Sequence, residues 1–283
     1  MVNICIIHYN TPLLTECLIK SINKFTPDSK IYIFDNSDKY PFTYRQDNII
    51  YFDNTKGQII NFEEWLKKYP NKGEGNDSGA IVNNFGSAKH CYSVEKCIEL
   101  IDDGFILLDS DVLLKKDISE IVDNNYYAVG DVKCYKVERL LPWICYINVK
   151  KCKENDIHYF DERRIYGLSN SDLFYDTGRS FYEDVKSKLK KIKYNMYIEH
   201  FLAGSWLEDA RIKHKYKSVN PEVWLKKNEK LWVTEKKEEK KKIVTKTINK
   251  QVNKQSNKIV NKSFSKPSHT GKRKQITFMN SSW

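Results

Sequence analysis

The chain has 283 residues, of which 40% are hydrophobic and 30% are charged, a composition that excludes collagen-like, mucin-like and wholly disordered proteins. No window approaches the roughly 18 uninterrupted apolar residues of a membrane span, and the opening residues MVNICIIHYN lack the basic segment and cleavage site of a secretory signal. The net charge of +11 is confined to residues 235–283, with 14 basic and 3 acidic side chains, because residues 1–234 hold 34 of each sign. The whole-chain charge is therefore no argument that the domain binds nucleic acid.

Apolar runs and helical periodicities alternate from residue 1 to about residue 123. After the first apolar run, Pro12 suits the first turn of a helix, and Thr11 suits its N-cap. The apolar runs lack polar alternation, as expected for parallel strands that are buried on both faces. This order predicts an α/β fold with a mostly parallel sheet and helices on both faces. The predicted strands are 3–9, 31–36, 48–54 and 105–114, and the predicted helices are 13–25, a segment around Trp65, and 87–101.

The second half of the chain has a less regular pattern. Its predicted elements are strands over 126–132, 143–149 and 193–200 and a helix over 178–191. After residue 232 the composition changes abruptly, because large apolar residues become few and lysines recur at four-residue spacing. We predict one α/β domain over 1–232 and a largely disordered, Lys-rich tail over 233–283.

Seven cysteines occur in the chain, and no two of them form a C-x-x-C pair. Cys91 and Cys97 fall in a predicted amphipathic helix, and Cys5 and Cys145 fall in predicted apolar strands. An odd number of cysteines without a secretory signal is typical of reduced, buried thiols. We therefore predict a cytoplasmic protein.

Polar side chains lie where three of the apolar runs end. They are His8, Asn10 and Thr11 at the end of the first strand, Asp35 at the end of the second, and Asp109, Ser110 and Asp111, which interrupt the long strand after Leu108. In an open parallel sheet, ligands bind outside the carboxyl ends of the strands, near the point where the strand order reverses. We therefore expect an acidic binding site at this edge of the sheet.

Asp109 and Asp111 are the most specific feature of this edge. Residues two apart in extended chain project to the same side, so two unpaired carboxylates at the end of a buried strand would repel each other. A divalent cation removes that cost, and Mg²⁺ or Mn²⁺ takes oxygen ligands while it leaves positions for phosphate oxygens. A pair of turn-forming, capping aspartates is the alternative interpretation.

Four motifs carry a resemblance to a known family: HYNTP over 8–12, DNS over 35–37, NFG over 84–86 and DSD over 109–111. Together they resemble glycosyltransferases of the GT-A fold, close to the family 2 type that uses nucleotide-sugar donors. The resemblance covers roughly the first 115 residues and thins out afterwards. It implies a nucleotide-sugar-binding half over 1–115 and an acceptor-binding half over 116–232.

The resemblance also implies roles for particular residues. Asp111 would hold Mn²⁺ or Mg²⁺ at the diphosphate of a UDP- or GDP-sugar, and Asp109 would contact the ribose or the metal. The other donor-binding residues would be His8, Asn10, Thr11, Asp35, Asn84, Gly86, Lys89 and His90. An exposed helix face is the alternative for Lys89 and His90. Because neither a P-loop motif nor a G-x-G-x-x-G motif is present, a metal must take the phosphate-binding role.

Two further positions come from the second half. An inverting transferase needs a carboxylate that takes the proton of the acceptor hydroxyl. The resemblance places this base near a helix start, which selects Asp176 first and Asp172 second; a helix cap is the alternative for Asp176. The resemblance also makes His200 an additional metal ligand, and a loop histidine with a water or backbone partner is the alternative.

The predicted function is metal-dependent, hexosyltransferase-like and inverting transfer of a sugar to a hydroxyl acceptor, either a glycan or a lipid-linked molecule. Aromatic residues in the second half suit a carbohydrate acceptor. A nucleotidyltransferase is disfavoured, because the segment HYNTPLLT contains neither Gly nor Arg. A sugar-binding protein with a decayed site is a second alternative. A third is a transferase whose tail, 235–283, binds nucleic acid, although the same tail would also bind an anionic membrane surface.

Overall fold

The structure of the protein is a computed structural model that describes residues 1–68, 85–134, 138–160, 177–201 and 220–234. All of these residues belong to one compact unit, Met1–Thr234. The predicted tail lies outside the described residues from residue 235 onward, so its disorder stays a prediction.

Seven strands form one mixed sheet. They are β1 (Val2–His8), β2 (Ser29–Asp35), β3 (Ile49–Asp53), β4 (Phe105–Asp109), β6 (Ala128–Cys134), β7 (Glu138–Ile147) and β8 (Leu189–Lys191), in the order β3-β2-β1-β4-β7-β6-β8. Only β7 runs antiparallel to its neighbours, β4 and β6. The strands β5 (Val112–Leu114) and β9 (Ile198–His200) form a separate antiparallel pair. The prediction of an α/β fold with a mostly parallel sheet is confirmed.

Helices cover both faces of the sheet. In β1, Ile4 and Ile6 pack against α1 (Pro12–Phe25) on one face, while Cys5 and Ile7 pack against α3 (Phe85–Leu100) on the other. Side chains alternate between the faces of a strand, so the apolar run of β1 from Ile4 to Ile7 contributes to two cores. The other helices are α2 (Phe62–Lys68), α4 (Val149–Glu154), α5 (Arg179–Val185), α6 (Pro221–Lys227) and α7 (Glu229–Trp232), with 3₁₀ turns at Ser119–Ile121, Lys186–Lys188 and Tyr194–Met196.

The start of α1 differs from the prediction in one respect. Pro12 does begin the helix, since its fixed φ suits the first turn and the N–H that it lacks has no helical partner there. Thr11 occupies the N-cap position, but its side chain makes no capping hydrogen bond. Its hydroxyl is used in a contact with Ser110, described below.

Several predicted elements have different boundaries. The apolar segment 105–114 is divided at Ser110 between two sheets, because β4 pairs within the main sheet and β5 pairs with β9. The helix predicted over 178–191 ends at Val185 and gives way to a 3₁₀ turn and the edge strand β8. The strand predicted over 193–200 is extended only at Ile198–His200.

The strand predicted over 143–149 is in fact longer and begins earlier. β7 starts at Glu138, because it pairs with β6 along most of its length, and it ends at Ile147. Asn148 then caps α4, and its side chain accepts a hydrogen bond from the N–H of Lys151 at 3.1 Å.

Six of the seven cysteines lie within the described residues with described side chains, and all six are free thiols and buried, as predicted. Among the helices described, none is both long enough and apolar enough to cross a bilayer.

Candidate metal and donor site

The strand order of the sheet reverses between β1 and β4. β1 leads through α1 to β2 on one side, and β4 lies on its other side. Open α/β sheets bind ligands at such a switch point, outside the carboxyl ends of the strands. The loops that leave β1 and β4 are joined here, because the hydroxyl oxygens of Thr11 and Ser110 lie 2.9 Å apart and both side chains are buried.

Three candidate metal ligands meet at this point. Asp109 ends β4 and Asp111 directly precedes β5, while the pairing of β5 with β9 places His200 opposite Val112. The N–H of Phe201 donates to the carbonyl of Asp111 at 3.0 Å, which continues the pairing of β9 with β5 by one more hydrogen bond. One ligand atom from each of Asp109, Asp111 and His200 lies within 4.8 Å of the others.

The environment of His200 fits a cation site. Its Nε2 lies 3.1 Å from Oδ1 of Asp111, and the two side chains are only 6% and 7% exposed. Burial disfavours the imidazolium, but the charge and hydrogen bond of Asp111, together with the charge of Asp109, raise the pKa of His200 above its ordinary value. The other ring nitrogen, Nδ1, is buried and has no hydrogen-bond partner in the described part of the chain. Two carboxylates and an imidazole suit Mn²⁺ and related divalent ions.

A second histidine lies beside Asp109. His90, in α3, has its Nε2 3.2 Å from Oδ1 of Asp109, with side-chain exposures of 15% and 21%. Neither ring nitrogen of His90 is hydrogen-bonded to any described residue. Each aspartate of the D-x-D motif therefore has one imidazole about 3 Å away.

Lys89 precedes His90 in α3, and its ammonium lies near two aromatic rings. Its Nζ lies 5.4 Å from the ring centroids of both Tyr9 and Phe62. Desolvation lowers the pKa of Lys89, although the charge of Asp38 acts in the opposite direction. A partly dehydrated ammonium is suited to contact with an anionic oxygen.

Asn10 connects the loop after β1 to the loop after β2. Its φ of +53° lies in the left-handed region, which asparagine tolerates better than most residues. Its Oδ1 accepts hydrogen bonds from the N–H groups of Lys39 and Tyr40 at 3.1 and 3.0 Å, and its Nδ2 donates to Asp38 at 2.6 Å. The side chain thus holds the two loops together.

Asp35 is fully buried, and the structure gives its carboxylate three partners within the protein. It accepts hydrogen bonds from the N–H of Ser37 at 2.8 Å, the N–H of Phe42 at 2.7 Å and the hydroxyl of Tyr51 at 2.7 Å. Asp35 therefore shapes the loop after β2, and its contact with a nucleoside stays a prediction.

His8 is also fully buried. Its Nδ1 lies 2.8 Å from the hydroxyl of Thr15, and its Nε2 lies 3.4 Å from the carbonyl of Tyr40. Desolvation lowers the pKa of His8, against the opposing effects of the Asp35 charge and the Tyr40 carbonyl. A neutral imidazole at this position supports the loop, so any donor contact by His8 stays a prediction.

Two residues at this edge were not among the predicted site residues. Ser110 connects the two aspartates and contacts Thr11. Trp143, in β7, has its ring centroid 4.4 Å from that of His200 and 4.7 Å from that of Tyr194. No local pattern distinguishes Trp143 from other aromatic residues, because its contact with His200 depends on strand pairing between distant segments.

The remaining predicted site residues are only partly described. Gly86 lies in the first turn of α3. Asn84, Asp172 and Asp176 lie outside the described residues, so their assignments stay predictions.

No model of a known protein family matches the sequence, and no curated protein matches it. Glycosyltransferases are among the solved structures that it resembles. The galactosyltransferase LgtC in complex with donor and acceptor sugar analogues has 12% identity and a TM-score of 0.45 over 68% of this chain and 73% of LgtC. GlyE of Streptococcus pneumoniae TIGR4 has 11% identity and a TM-score of 0.46 over 83% of this chain and 65% of GlyE. The bifunctional glycosyltransferase WbbM has 14% identity and a TM-score of 0.44 over 68% of this chain and 38% of WbbM.

These neighbours are of the kind that the sequence motifs resemble. At TM-scores below 0.5 and identities of 14% or less, however, the likeness supports no inference about this chain.

Proposed function

We propose that the protein is a metal-dependent glycosyltransferase that moves a sugar from a nucleotide-sugar donor to a hydroxyl acceptor. The observation that carries the proposal is the convergence of Asp109, Asp111 and His200 at the switch point of an open α/β sheet. A divalent cation held there would lie where such sheets bind the phosphates of a nucleotide.

The residues around the cluster fit this use. Asp109, Asp111 and His200 would hold the cation, which supplies stabilisation of the negative charge that develops on the leaving nucleoside diphosphate. Lys89 and His90, on consecutive positions of α3, would contact oxygens of the same diphosphate. Because an imidazole is among the ligands, we propose Mn²⁺ ahead of Mg²⁺.

The proposed transfer is a single displacement. The acceptor oxygen forms a bond to the anomeric carbon of the donor, the bond from that carbon to the phosphate oxygen breaks, and the nucleoside diphosphate leaves with the electron pair. The acceptor proton passes to a carboxylate, which we assign to Asp176 first and Asp172 second from the sequence. Attack from the face opposite the leaving group inverts the anomeric configuration.

The donor is proposed to be a UDP- or GDP-sugar and the acceptor a glycan or a lipid-linked molecule. Six free, buried thiols support a reducing compartment, which we propose is the cytoplasm. The basic segment 235–283 would favour contact with an anionic membrane surface, where lipid-linked acceptors lie.

Calorimetric titration of the full chain with UDP and GDP, each with and without Mn²⁺, tests the proposal. We expect one nucleotide to bind only when Mn²⁺ is present and to lose this binding in Asp111→Asn, which keeps the shape of the side chain and removes its charge. Asp102→Asn is the matched control, because the Asp102 side chain is fully exposed. Failure of both nucleotides to bind with Mn²⁺, or an equal loss in the control, would overturn the proposal.

A further inference from the structure

A groove opens beside β8, the edge strand of the main sheet. Its volume is about 440 Å³, within the range of small-molecule sites. Apolar side chains from Val132, Ile192 and Met196 line it, and its charged side chains come from Asp131, Lys191 and Lys193. An apolar surface with a few convergent charges is the usual composition of a ligand site.

The charges of the groove are predominantly positive. Asp131 is buried, and its carboxylate accepts the N–H of Tyr194 at 3.1 Å while lying 3.8 Å from Nζ of Lys193. Lys193 is 75% exposed, and Lys191 forms no ion pair with any described residue. The segment 185–198 contains five lysines and no acidic residue. One aspartate therefore faces two lysines, which leaves positive charge available to a ligand.

Strand pairing places this groove close to the metal site. Leu108 of β4 pairs with Ile144 of β7, and the next residue of β7, Cys145, pairs with Gly130 of β6. Because β4 and β6 run in the same direction, Asp131, the residue after Gly130, lies near the level of the carboxyl end of β4, two strand spacings or about 10 Å away, while β6 continues to Cys134.

Aromatic rings lie between the candidate metal cluster and the groove beside β8. The ring of Trp143, on the intervening strand β7, lies 4.4 Å from His200 and 4.7 Å from Tyr194. Tyr194 follows Lys193 and donates its N–H to Asp131, so it lies at the margin of the groove. The rings of Trp143 and Tyr194 thus extend from His200, a candidate metal ligand, to the charged side chains of the groove. Aromatic surfaces with polar margins suit the apolar faces and hydroxyls of a sugar.

We propose that the groove binds the acceptor and that the acceptor carries an anionic group, a carboxylate or a phosphate, next to a sugar ring. This inference rests on the proposed function and specifies its acceptor. The reactive hydroxyl would reach the donor at the metal site, the sugar would cross Trp143, and its anionic group would pair with Lys191 and Lys193. Asp131 would accept a hydrogen bond from a neighbouring hydroxyl of the sugar.

Saturation-transfer NMR on the full chain tests this, with glucose, glucuronate and glucose 6-phosphate as probes. We expect either anionic probe to bind about fivefold more tightly than glucose, the size of a few exposed charge contacts. The double variant Lys191→Met/Lys193→Met should abolish that preference. The matched control, Lys186→Met/Lys188→Met, removes the same charge from exposed lysines outside the groove. This control variant should keep the preference for anionic probes over glucose. The two anionic probes distinguish a carboxylate from a phosphate as the preferred group.

A second measurement tests the location. Paramagnetic Mn²⁺ should broaden the proton signals of the bound anionic probe in the wild type and not in Asp111→Asn. Equal binding of all three probes, or an equal loss in the control pair, would overturn the groove assignment while Mn²⁺-dependent nucleotide binding could persist. Anionic-sugar binding without any nucleotide binding would instead contradict the proposed function, and the acceptor role with it.

Discussion

Glu95 and His158 are in direct contact, with 2.7 Å between Oε1 of the carboxylate and Nδ1 of the imidazole. The second oxygen of Glu95 accepts the backbone N–H groups of Tyr159 and Phe160 at 2.6 and 3.1 Å. Glu95 is buried, and Nε2 of His158 also lies 2.9 Å from Asp156. One carboxylate therefore attaches the chain at these positions to α3, the helix that also carries Lys89 and His90.

Replacing Glu95 by glutamine should lower the free energy of unfolding by about 1–3 kcal/mol, the cost of leaving buried polar groups unsatisfied. The amide keeps one oxygen that can accept from the N–H groups of Tyr159 and Phe160, but it removes the negative charge that faces the imidazole of His158. Urea denaturation measures the change. Glu99→Gln is the control, because Glu99 lies on the same helix, is mostly exposed and pairs only with Lys96 among the described residues; its effect should stay within about 0.5 kcal/mol. Similar losses in the two variants would show that Glu95 has no special role.

The stability that His158 contributes should decrease as the pH rises. Burial disfavours its charged form, but hydrogen bonds and charges from Asp156 and Glu95 raise the pKa of His158 above 6.5. A group whose pKa is raised by folding stabilises the protein fully below its unfolded pKa and loses this effect as the pH passes its folded pKa. The difference in unfolding free energy between wild type and His158→Gln should therefore be larger at about pH 5.5 than at about pH 9. A difference that is constant, or that grows with pH, would contradict the assignment.

Gly178, directly before α5, should tolerate no side chain. Its φ is +78°, and an added Cβ would lie 2.0 Å from the carbonyl oxygen of Leu140. Gly57 provides the matched control, because its φ is +72° but the nearest atom to an added Cβ is 3.5 Å away. We expect Gly57→Ala to cost about 1–2 kcal/mol from backbone strain alone, and Gly178→Ala to cost more than about 3 kcal/mol. Equal midpoints in thermal unfolding would refute the predicted clash.

The hydroxyl contact between Thr11 and Ser110 should couple the loops after β1 and β4. Thr11→Val keeps the volume of the side chain but leaves the buried Ser110 hydroxyl without this partner, at a cost of about 1–2 kcal/mol. In a double-mutant cycle with Ser110→Ala, the double variant should lose less than the sum of the single losses, by about 1 kcal/mol. Strict additivity would mean that the 2.9 Å contact contributes nothing.

The strand and helix order of the first half could be predicted because its physical cause is local. Each position of β1 from Ile4 to Ile7 is apolar, since the sheet is covered on both faces, and this pattern is visible without knowing the fold. Asp109 and Asp111 could be singled out as candidate metal ligands for the same reason, because two carboxylates at the end of such a strand need a partner.

Other features depend on contacts between distant segments and could not be predicted. Asp35 and His8 occupy the predicted strand ends, but their partners come from the loop at 37–42, from Tyr51 and from Thr15, which no spacing rule connects to them. β5 and β9 have three residues each, too few to show a period. The ring of Trp143 reaches His200 only because of the pairing of β7 with β4.

The contact between Asp111 and His200 joins positions 89 residues apart. A chain under synthesis therefore presents both aspartates well before the imidazole exists, and the cluster closes only when β9 pairs with β5. A cation that binds the closed cluster stabilises that late pairing, because binding to the folded form alone shifts the folding equilibrium. Under the proposed function, a bound divalent metal would thus add to the stability of the folded chain and hold its last strand pair in place.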